Sequence, residues 1–275
     1  LTGASGVITT TGNLAFKAGG TYIHNRNNGV IPTATWAITS TCSVTGIINS
    51  VPVISSATQP FGNFTWNCVS QSGLIDLAGT LTSIDGNFTI LSTGTAFVEL
   101  SRAVSCNLRV KGDAYVDGNF AIGAVNPANT MTVDGNFRFV RGTHMICNAT
   151  GTTTLNIGGD LYSSGMLYFT FTNFPGAATV NVTGNVFITG GTFNLSRTSS
   201  TGILNVGGNF THSGGTITES STGSGTVVFN GTGTQVYTAG GTISNTIDFT
   251  VNSGSTLQMA AEGTVITGGG TFTLS

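Results

Sequence analysis

Carboxylates are the side chains of this sequence with the most catalytic potential, because hydrolysis of a glycosidic bond needs two nearby acids. Asp85, Asp117 and Asp134 each precede a Gly-Asn pair. Asp85 and Asp134 share one phase of a repeat, two repeats apart, with Lys111 at that phase between them. If each repeat rises about 4.8 Å, the two acids lie about 10 Å apart, slightly too far for a catalytic pair. We therefore interpret these aspartates as solvated turn residues.

Metal binding is only weakly indicated. Asp113 and Asp160 alternate with asparagines at one phase of the repeat, and mixed oxygen ligands of that kind suit a weakly held calcium ion. The dense Gly-Gly-x-Gly-x-Asp nonapeptide of calcium-binding solenoids is absent. His24, His144 and His212 occupy unrelated phases without metal-ligand spacing. We predict no catalytic residue, no metal and no cofactor, and a chain that is not an enzyme.

Two of the four cysteines are separated by about one repeat. Cys42 and Cys68 are 26 residues apart. If a divergent coil is centred near residue 37, their side chains stack in neighbouring strands, within disulfide range. We predict either a Cys42–Cys68 disulfide or a buried, reduced pair, and we expect Cys106 and Cys147 to be unpaired.

Aromatic residues at an outward phase give the best indication of binding. The third position after the repeat glycine holds Tyr115, Arg138, Tyr162 and Phe187. Exposed rings on one flat face could contact a sugar or a partner chain. The alternative is a face covered by another part of the chain or by a neighbouring filament.

Composition excludes several classes of protein. The chain of 275 residues has 8 basic and 10 acidic residues, and only 7% of its residues are charged. Nucleic-acid binding needs clustered Lys and Arg, so we expect no such partner. No apolar run approaches the roughly 18 residues of a spanning helix, so we predict no membrane crossing. Gly, Thr, Val and Phe dominate while helix formers are scarce, which predicts a β protein.

A repeat of about 24 residues organises the sequence. Its steps are 23 to 26 residues, and about eleven repeats fit in the chain. The residue after the repeat glycine is nearly always Asn or Asp, which indicates a bend, because these residues tolerate left-handed backbone. The repeat glycines are Gly62, Gly86, Gly112, Gly135, Gly159, Gly184, Gly208, Gly231 and Gly254.

Apolar residues alternate on both sides of this bend, which predicts strands with one buried face. Three short strands in about 24 residues are typical of a parallel β-solenoid, right-handed by the usual preference of parallel crossovers. Phe64, Phe88, Phe137 and Phe210 would stack inside it. A β-sandwich is the competing fold. A hydrogen-bonded corner ladder is predicted for Asn63, Asn87, Asp113, Asn136, Asp160, Asn185 and Asn209.

The chain is predicted to be one continuous domain. Residues 1–60 form divergent coils with a loop insertion near residues 25–29, and residues 61–275 form regular coils. The last residues read as a strand, which favours a C-terminally truncated solenoid whose open coil stacks on another copy or a partner.

Residues 21–36, 61–68, 227–235 and 240–247 resemble segments of the Gly/Thr/Asn-rich repetitive secreted surface proteins of Bacteroidetes. This resemblance covers most of the chain, and its motifs are structural repeats. It implies export by the type 9 secretion system to the cell surface or beyond. The partners it implies are the secretion machinery and other surface proteins.

The leading functional hypothesis is therefore a structural stalk or passenger segment of an exported, adhesin-like surface protein. A carbohydrate-binding module that takes a glycan on the aromatic face is the alternative. A polysaccharide-degrading enzyme and an ice-binding protein rank below it, the latter because a regular Thr-x-Thr ladder is missing.

Overall fold

A computed structural model describes residues 8, 12–54, 59–123, 128–148, 150–171, 175–220, 222–262 and 264–275. In these ranges the secondary structure consists of thirty β-strands without a helix. Neighbouring strands pair in parallel, with partners about one repeat apart in sequence. The chain is thus a parallel β-solenoid, which confirms the predicted fold class.

Each coil contributes up to three strands, and the stacked coils form three faces. The first face contains Thr21–His24, Thr41–Val44, Asn63–Asn67, Phe88–Ser92, Ala114–Val116, Phe137–Phe139, Leu161–Ser163, Val186–Asn194, Phe210–Thr218, Thr234–Ala239 and Thr256–Met259. Val186–Asn194 and Phe210–Thr218 continue around the corner into the second face. The second face also contains Val30–Ile31, Val53–Ile54, Ile75–Asp76, Val98–Ser101, Phe120–Gly123, Thr143–Cys147, Met166–Thr170 and Thr242–Ile243.

The third face closes each coil and has the most regular register. Its middle strands have six residues and pair without a shift over their whole length. Its strands are Ala15–Phe16, Thr35–Trp36, Ser83–Ile84, Asn107–Val110, Asn129–Val133, Thr152–Ile157, Ala177–Val182, Thr201–Val206, Ser224–Phe229, Asp248–Val251 and Phe272–Leu274.

The number of coils can be counted along one column of side chains on the first face. Its eleven stacked positions mark ten turns, close to the eleven coils predicted. The predicted phenylalanine positions lie in this column and are buried. The column contains Tyr22, Cys42, Phe64, Phe88, Ala114, Phe137, Leu161, Val186, Phe210, Tyr237 and Met259.

Alternation along each strand creates the core. In Ala177–Val182, the side chains of Ala178, Val180 and Val182 are buried, while Thr179 and Asn181 face outward. Burial of a large apolar side chain stabilises the fold by about 1.5–3 kcal/mol. Because every coil repeats this pattern, one continuous apolar column runs along the axis.

The repeat glycines serve a different purpose from the one we predicted. Of the nine repeat glycines only Gly254 has left-handed backbone (φ 83°), which otherwise occurs at other turns, such as Gly191 (φ 67°) and Gly215 (φ 77°). A Cβ on Gly135 would lie 2.3 Å from Asp113 Oδ1 and 2.8 Å from the Gly112 carbonyl oxygen. The corner therefore requires glycine because the preceding coil occupies the space that a side chain would need.

The divergent first coils share the core of the regular ones. Trp36 stacks on Phe16 with ring centroids 4.2 Å apart, and it contacts Phe61 at 5.2 Å. Phe61 in turn meets Phe64 at 5.3 Å. Aromatic packing thus continues across the predicted boundary at residue 60.

The predicted loop at residues 25–29 is tied to the next coil. The Oδ1 atom of Asn27 accepts hydrogen bonds from the backbone N–H groups of Ile48, Asn49 and Ser50 at 2.9–3.0 Å. Asn28 and Gly29 take positive φ angles of 71° and 85°. One amide side chain therefore anchors the loop.

All three histidines are buried, and His144 is the least satisfied. It lies between Phe120 and Leu167 in the stack of the second face, and its ring is 4.9 Å from that of Phe139. Neither ring nitrogen has a hydrogen-bond partner. Burial lowers the pKa of His144 to about 4, which keeps the ring neutral.

We predict that Gly135→Ala destabilises the solenoid by about 1–3 kcal/mol, because the added methyl group collides with the preceding coil. The matched control is Gly233→Ala, since a Cβ at Gly233 meets nothing within 4 Å. Urea denaturation followed by circular dichroism measures both variants. Equal midpoints for the two variants would contradict this account of the corner.

We expect acid to destabilise the folded chain, because His144 is protonated more readily in the unfolded state. Its pKa is about 4 in the folded state and about 6.5 when unfolded, so the unfolded state binds the proton more tightly. Stability should therefore fall as the pH drops from about 6.5 to about 4, by about 3 kcal/mol in total. His144→Leu, which matches Leu167 of the next coil, should remove this component. An unchanged pH dependence of the urea midpoint in that variant would refute the assignment.

Candidate functional site

The seven predicted corner residues form one column along the axis. The Oδ1 atom of each accepts a hydrogen bond from the backbone N–H of the corner residue in the next coil, at 2.7–2.9 Å. The ladder ends where Asn209 Oδ1 accepts from the N–H of Val236 at 2.8 Å. Only an acceptor is needed at each step, so Asn and Asp serve equally well. The ladder contains Asn63, Asn87, Asp113, Asn136, Asp160, Asn185 and Asn209.

These bonds occupy the oxygens that we considered for calcium. Asp113 Oδ1 accepts from the N–H and the Nδ2 of Asn136. Asp160 Oδ1 does the same for Asn185, and its Oδ2 accepts from the Tyr162 hydroxyl at 3.1 Å. In the described residues, no group of three or more His, Cys, Asp or Glu side chains could hold a metal ion. The corner carboxylates therefore join coils.

The three aspartates that precede Gly-Asn pairs are ion-paired between coils. Asp85 and Asp117 each meet a basic side chain about one repeat later, and Asp134 meets one about one repeat earlier, so the interpretation as merely solvated residues was incomplete. Exposed pairs of this kind contribute about 0–1 kcal/mol. The pairs are Lys111–Asp85 at 2.7 Å, Arg109–Asp134 at 3.0 Å and Arg141–Asp117 at 2.6 Å.

The predicted surface residues form a continuous outward stripe on the first face. Tyr115, Arg138, Tyr162 and Phe187 are consecutive partners in the strand register. The Arg138 guanidinium lies 3.8 Å from the centre of the Tyr162 ring. The rings of Tyr162 and Phe187 stack 4.8 Å apart at 12°. Arg138, Tyr162 and Phe187 therefore stack as three planes, and Tyr115 precedes them in the same column.

Stacking limits what the stripe can bind. One face of Tyr162 is covered by Arg138 and the other by Phe187. A sugar ring needs an open aromatic face, so the middle of the stripe presents only ring edges. Open space remains at the Tyr115 end, in a groove of about 240 Å³. That groove is lined by Asn87, Thr89, Asp113, Ala114, Tyr115, Asn136 and Arg138.

Two acids that sequence reasoning missed are neighbours on the second face. Asp76 and Glu99 are register partners in adjacent strands. Glu99 Oε1 accepts from Asn148 Nδ2 at 3.2 Å, and Oε2 lies 3.7 Å from Arg102 Nε. Burial raises the pKa of the Glu99 carboxyl, Asp76 adds to this rise, and Arg102 and Asn148 oppose it. Alignment of residues 75–76 with 98–99 would have revealed the pair.

The Glu99 member of this pair is closed to substrate. Glu99 is only 1% exposed although it occupies an outward position of its strand. Its register partner Ala121 and the following Met145 are also buried. A polysaccharide chain cannot reach the Glu99 carboxyl in this arrangement, so the pair does not form an open glycosidase site.

A second buried carboxylate, Glu219, joins three coils. Its Oε2 accepts from Ser196 Oγ at 3.0 Å and from the backbone N–H of Gly225 at 2.5 Å. Its Oε1 accepts from the Thr246 hydroxyl. Because these three donors satisfy both oxygens of the Glu219 carboxyl group, the side chain is tolerated at 2% exposure. Its role is structural.

Of the two arrangements predicted for Cys42 and Cys68, the disulfide is wrong, and the reduced, buried state is present without the stacking of the two side chains. The register pairs Cys42 with Phe64, four residues before Cys68. Neither thiol is disulfide-bonded, and both are buried. The first coils advance by 20 and 22 residues, so a spacing of 26 does not bring two residues into one column. Burial raises the pKa of Cys68 to about 11 and that of Cys106 to about 12.

Comparisons with protein families, curated proteins and solved structures find no match to this chain. In the described ranges, no helix has the length and apolar character needed to span a membrane. Function must therefore be inferred from the arrangement of this chain's own residues.

Native protein should resist thiol reagents. Because all four cysteines are buried and burial disfavours the reactive thiolate, we expect negligible reaction with dithiobis(nitrobenzoate) at pH 8. After denaturation without reductant, all four should react. Release of only two equivalents from the denatured chain would indicate a disulfide and overturn the register at Cys42.

Proposed function

We propose that this chain is a rigid stalk or passenger segment of a secreted bacterial cell-surface protein with an adhesin-like role. The proposal rests on one observation, the continuity of the contacts between coils along the axis of the solenoid. The corner bonds repeat from Asn63 to Asn209, and the core column continues through the stacked coils. The resemblance to repetitive surface proteins of Bacteroidetes supports the location.

Such a segment would act as a spacer. Ten turns at about 4.8 Å per turn extend about 50 Å along the axis. Bending that rod would separate backbone groups of adjacent coils on one side, and each separated bond has to be replaced by water. Stability in a stacked fold of this kind is a sum of coil and neighbour terms, so length can vary without loss of the fold.

The carbohydrate-binding hypothesis has weaker support. Both faces of the Tyr162 ring are covered within the stripe, and the groove near Tyr115 offers space beside hydrogen-bonding groups. Catalysis has less support still, because Glu99, one of the two neighbouring acids, is buried.

An in-phase deletion tests the spacer role. Removal of residues 136–184 joins Gly135 to Asn185, so that two coils are lost and Asp113 can accept from the N–H of Asn185. We expect the variant to fold, to reach the surface of the source cells and to support attachment as the natural chain does. Circular dichroism, protease shaving of intact cells and an attachment assay measure these properties.

The control is a deletion of residues 136–172, which breaks the phase and should abolish folding. A folded, displayed in-phase variant that fails in attachment would show that the deleted coils carry a binding or catalytic site. That result would refute the spacer role.

A further inference from the structure

Two Asn-Gly pairs lie between strands of this chain. Asn28-Gly29 follows the strand Thr21–His24, and Asn230-Gly231 follows the strand Ser224–Phe229. Both asparagines are exposed. The glycine of such a pair has no side chain, so its backbone nitrogen can approach the side-chain carbonyl carbon of the asparagine closely. The motif therefore offers the same intramolecular reaction at two places, and the surroundings decide whether it occurs.

The surroundings of Asn230 oppose this reaction. The N–H of Gly231 donates to Gln235 Oε1 at 2.9 Å, and this bond is buried. A Cβ on Gly231 would lie 2.2 Å from the Gly207 carbonyl oxygen, so the preceding coil holds this peptide in place. A backbone nitrogen whose proton is bound and whose peptide cannot rotate is a poor nucleophile. Asn230 is therefore an internal reference for the unreactive state of the motif.

Asn28 has a buried donor directed at its backbone carbonyl. His24 Nε2 lies 2.7 Å from the Asn28 oxygen, and the histidine ring is buried. Because a carbonyl oxygen only accepts, Nε2 carries the hydrogen, and Nδ1 of the neutral ring accepts from the Tyr22 hydroxyl at 3.0 Å. Burial lowers the pKa of His24, the bond to Asn28 raises it, and Arg26 lowers it. Tyr22 and His24 thus form a relay that ends on this oxygen.

The same oxygen belongs to the peptide group whose nitrogen has to attack. When the Gly29 N–H loses its proton, the negative charge spreads over the nitrogen and the Asn28 carbonyl oxygen. The His24 donor stabilises that charge in the way a donor of an oxyanion hole does. The Arg26 guanidinium lies beside this peptide, since a Cβ on Gly29 would be 2.4 Å from Arg26 Nε. No described residue accepts from the Gly29 N–H or bonds to the Asn28 side-chain amide.

We propose that Asn28 is a self-modification site at which His24 and Arg26 promote the loss of ammonia and conversion to aspartate and isoaspartate. Hydroxide removes the Gly29 proton, and the nitrogen forms a bond to Asn28 Cγ. The Cγ–Nδ2 bond then breaks, and Nδ2 takes a proton from water and leaves as ammonia. Water opens the resulting succinimide at either of its two carbonyl groups. No oxidant or reductant takes part, and the product carries one more negative charge.

The product changes a loop that is anchored to the next coil through Asn27. The new carboxylate lies in the same loop as the Arg26 guanidinium, and the isoaspartate form lengthens the backbone there by one carbon. Because the released ammonia does not return to the chain, the modified fraction grows with the age of the folded protein. This inference goes beyond the spacer role and does not depend on it.

Peptide mapping by mass spectrometry tests the proposal at both sites of one molecule. The natural chain and synthetic peptides of residues 22–31 and 226–235 are incubated at about pH 8, and the modified fraction is followed by its gain of about 1 Da. We expect Asn28 to react at least about tenfold faster in the folded chain than in its peptide. Asn230 should react more slowly in the folded chain than in its peptide.

Variants separate the donor from the loop itself. His24→Phe removes the N–H and should slow the reaction of Asn28 at least about tenfold. His24→Gln keeps an N–H near the position of Nε2 and should retain part of the rate. Arg26→Gln removes the neighbouring charge at a half-buried position and should also slow the reaction. The matched control is His212→Phe, which removes another buried histidine from a distant coil and should leave the rate unchanged.

Circular dichroism verifies that each variant folds. A rate at Asn28 that is no higher in the folded chain than in the peptide would overturn the proposal. An unchanged rate in His24→Phe would also overturn it and would leave His24 as an anchor of the loop. If His24→Phe does not fold, an unchanged rate in Arg26→Gln, together with no gain of the folded chain over the peptide, decides against the site.

Discussion

The hydrogen bonds at one corner of the coil are the constraint on which the rest of the structure depends. From Gly86 to Gly208, the backbone N–H of each corner glycine donates to the carbonyl of the glycine one coil earlier, as in Gly112 to Gly86 at 2.9 Å and Gly135 to Gly112 at 3.1 Å. The following residue accepts beside it through an Asn or Asp oxygen. These two columns bring the coils so close that no Cβ fits between them. A fixed coil spacing and a fixed phase follow from that contact.

Once the phase is fixed, residues about 24 apart in sequence become neighbours in space. Ion pairs such as Arg109–Asp134 and the stack of Tyr162 on Phe187 therefore connect successive coils. Aromatic side chains at one position form a column, and so do amides. The corner ladder and the outward stripe are both such columns along the axis, with a spacing of about 4.8 Å between coils. A ligand or partner would meet repeated identical groups more often than a single convergent site.

Several acidic and histidine side chains of this chain lie in the interior of the fold and do not face solvent. Glu219 is saturated by donors from other coils, and Glu99 is held by Asn148 and Arg102. His144 is neutral because burial lowers its pKa. Glu99 and Glu219 are bonded within the fold, and all three histidine rings are buried. This agrees with a structural role, and it leaves the flat outer faces as the surfaces open to partners.

The sequence by itself determined the solenoid, because a strict repeat with alternating apolar residues has few other ways to bury its apolar side. It also identified the corner residues and the outward stripe, since both follow from phase alone. Only the tertiary structure decided the register of the first coils, where steps of 20 and 22 residues break the average period and separate Cys42 from Cys68. The pairing of Asp76 with Glu99 was not predicted for a similar reason. The second face has no repeated Gly-Asn or Gly-Asp motif from which its register could be aligned. The period of the sequence determines which face of the solenoid a side chain lies on. Contacts with the neighbouring coils determine whether its ring face or its polar atoms remain free to meet a ligand, and this depends on the tertiary structure.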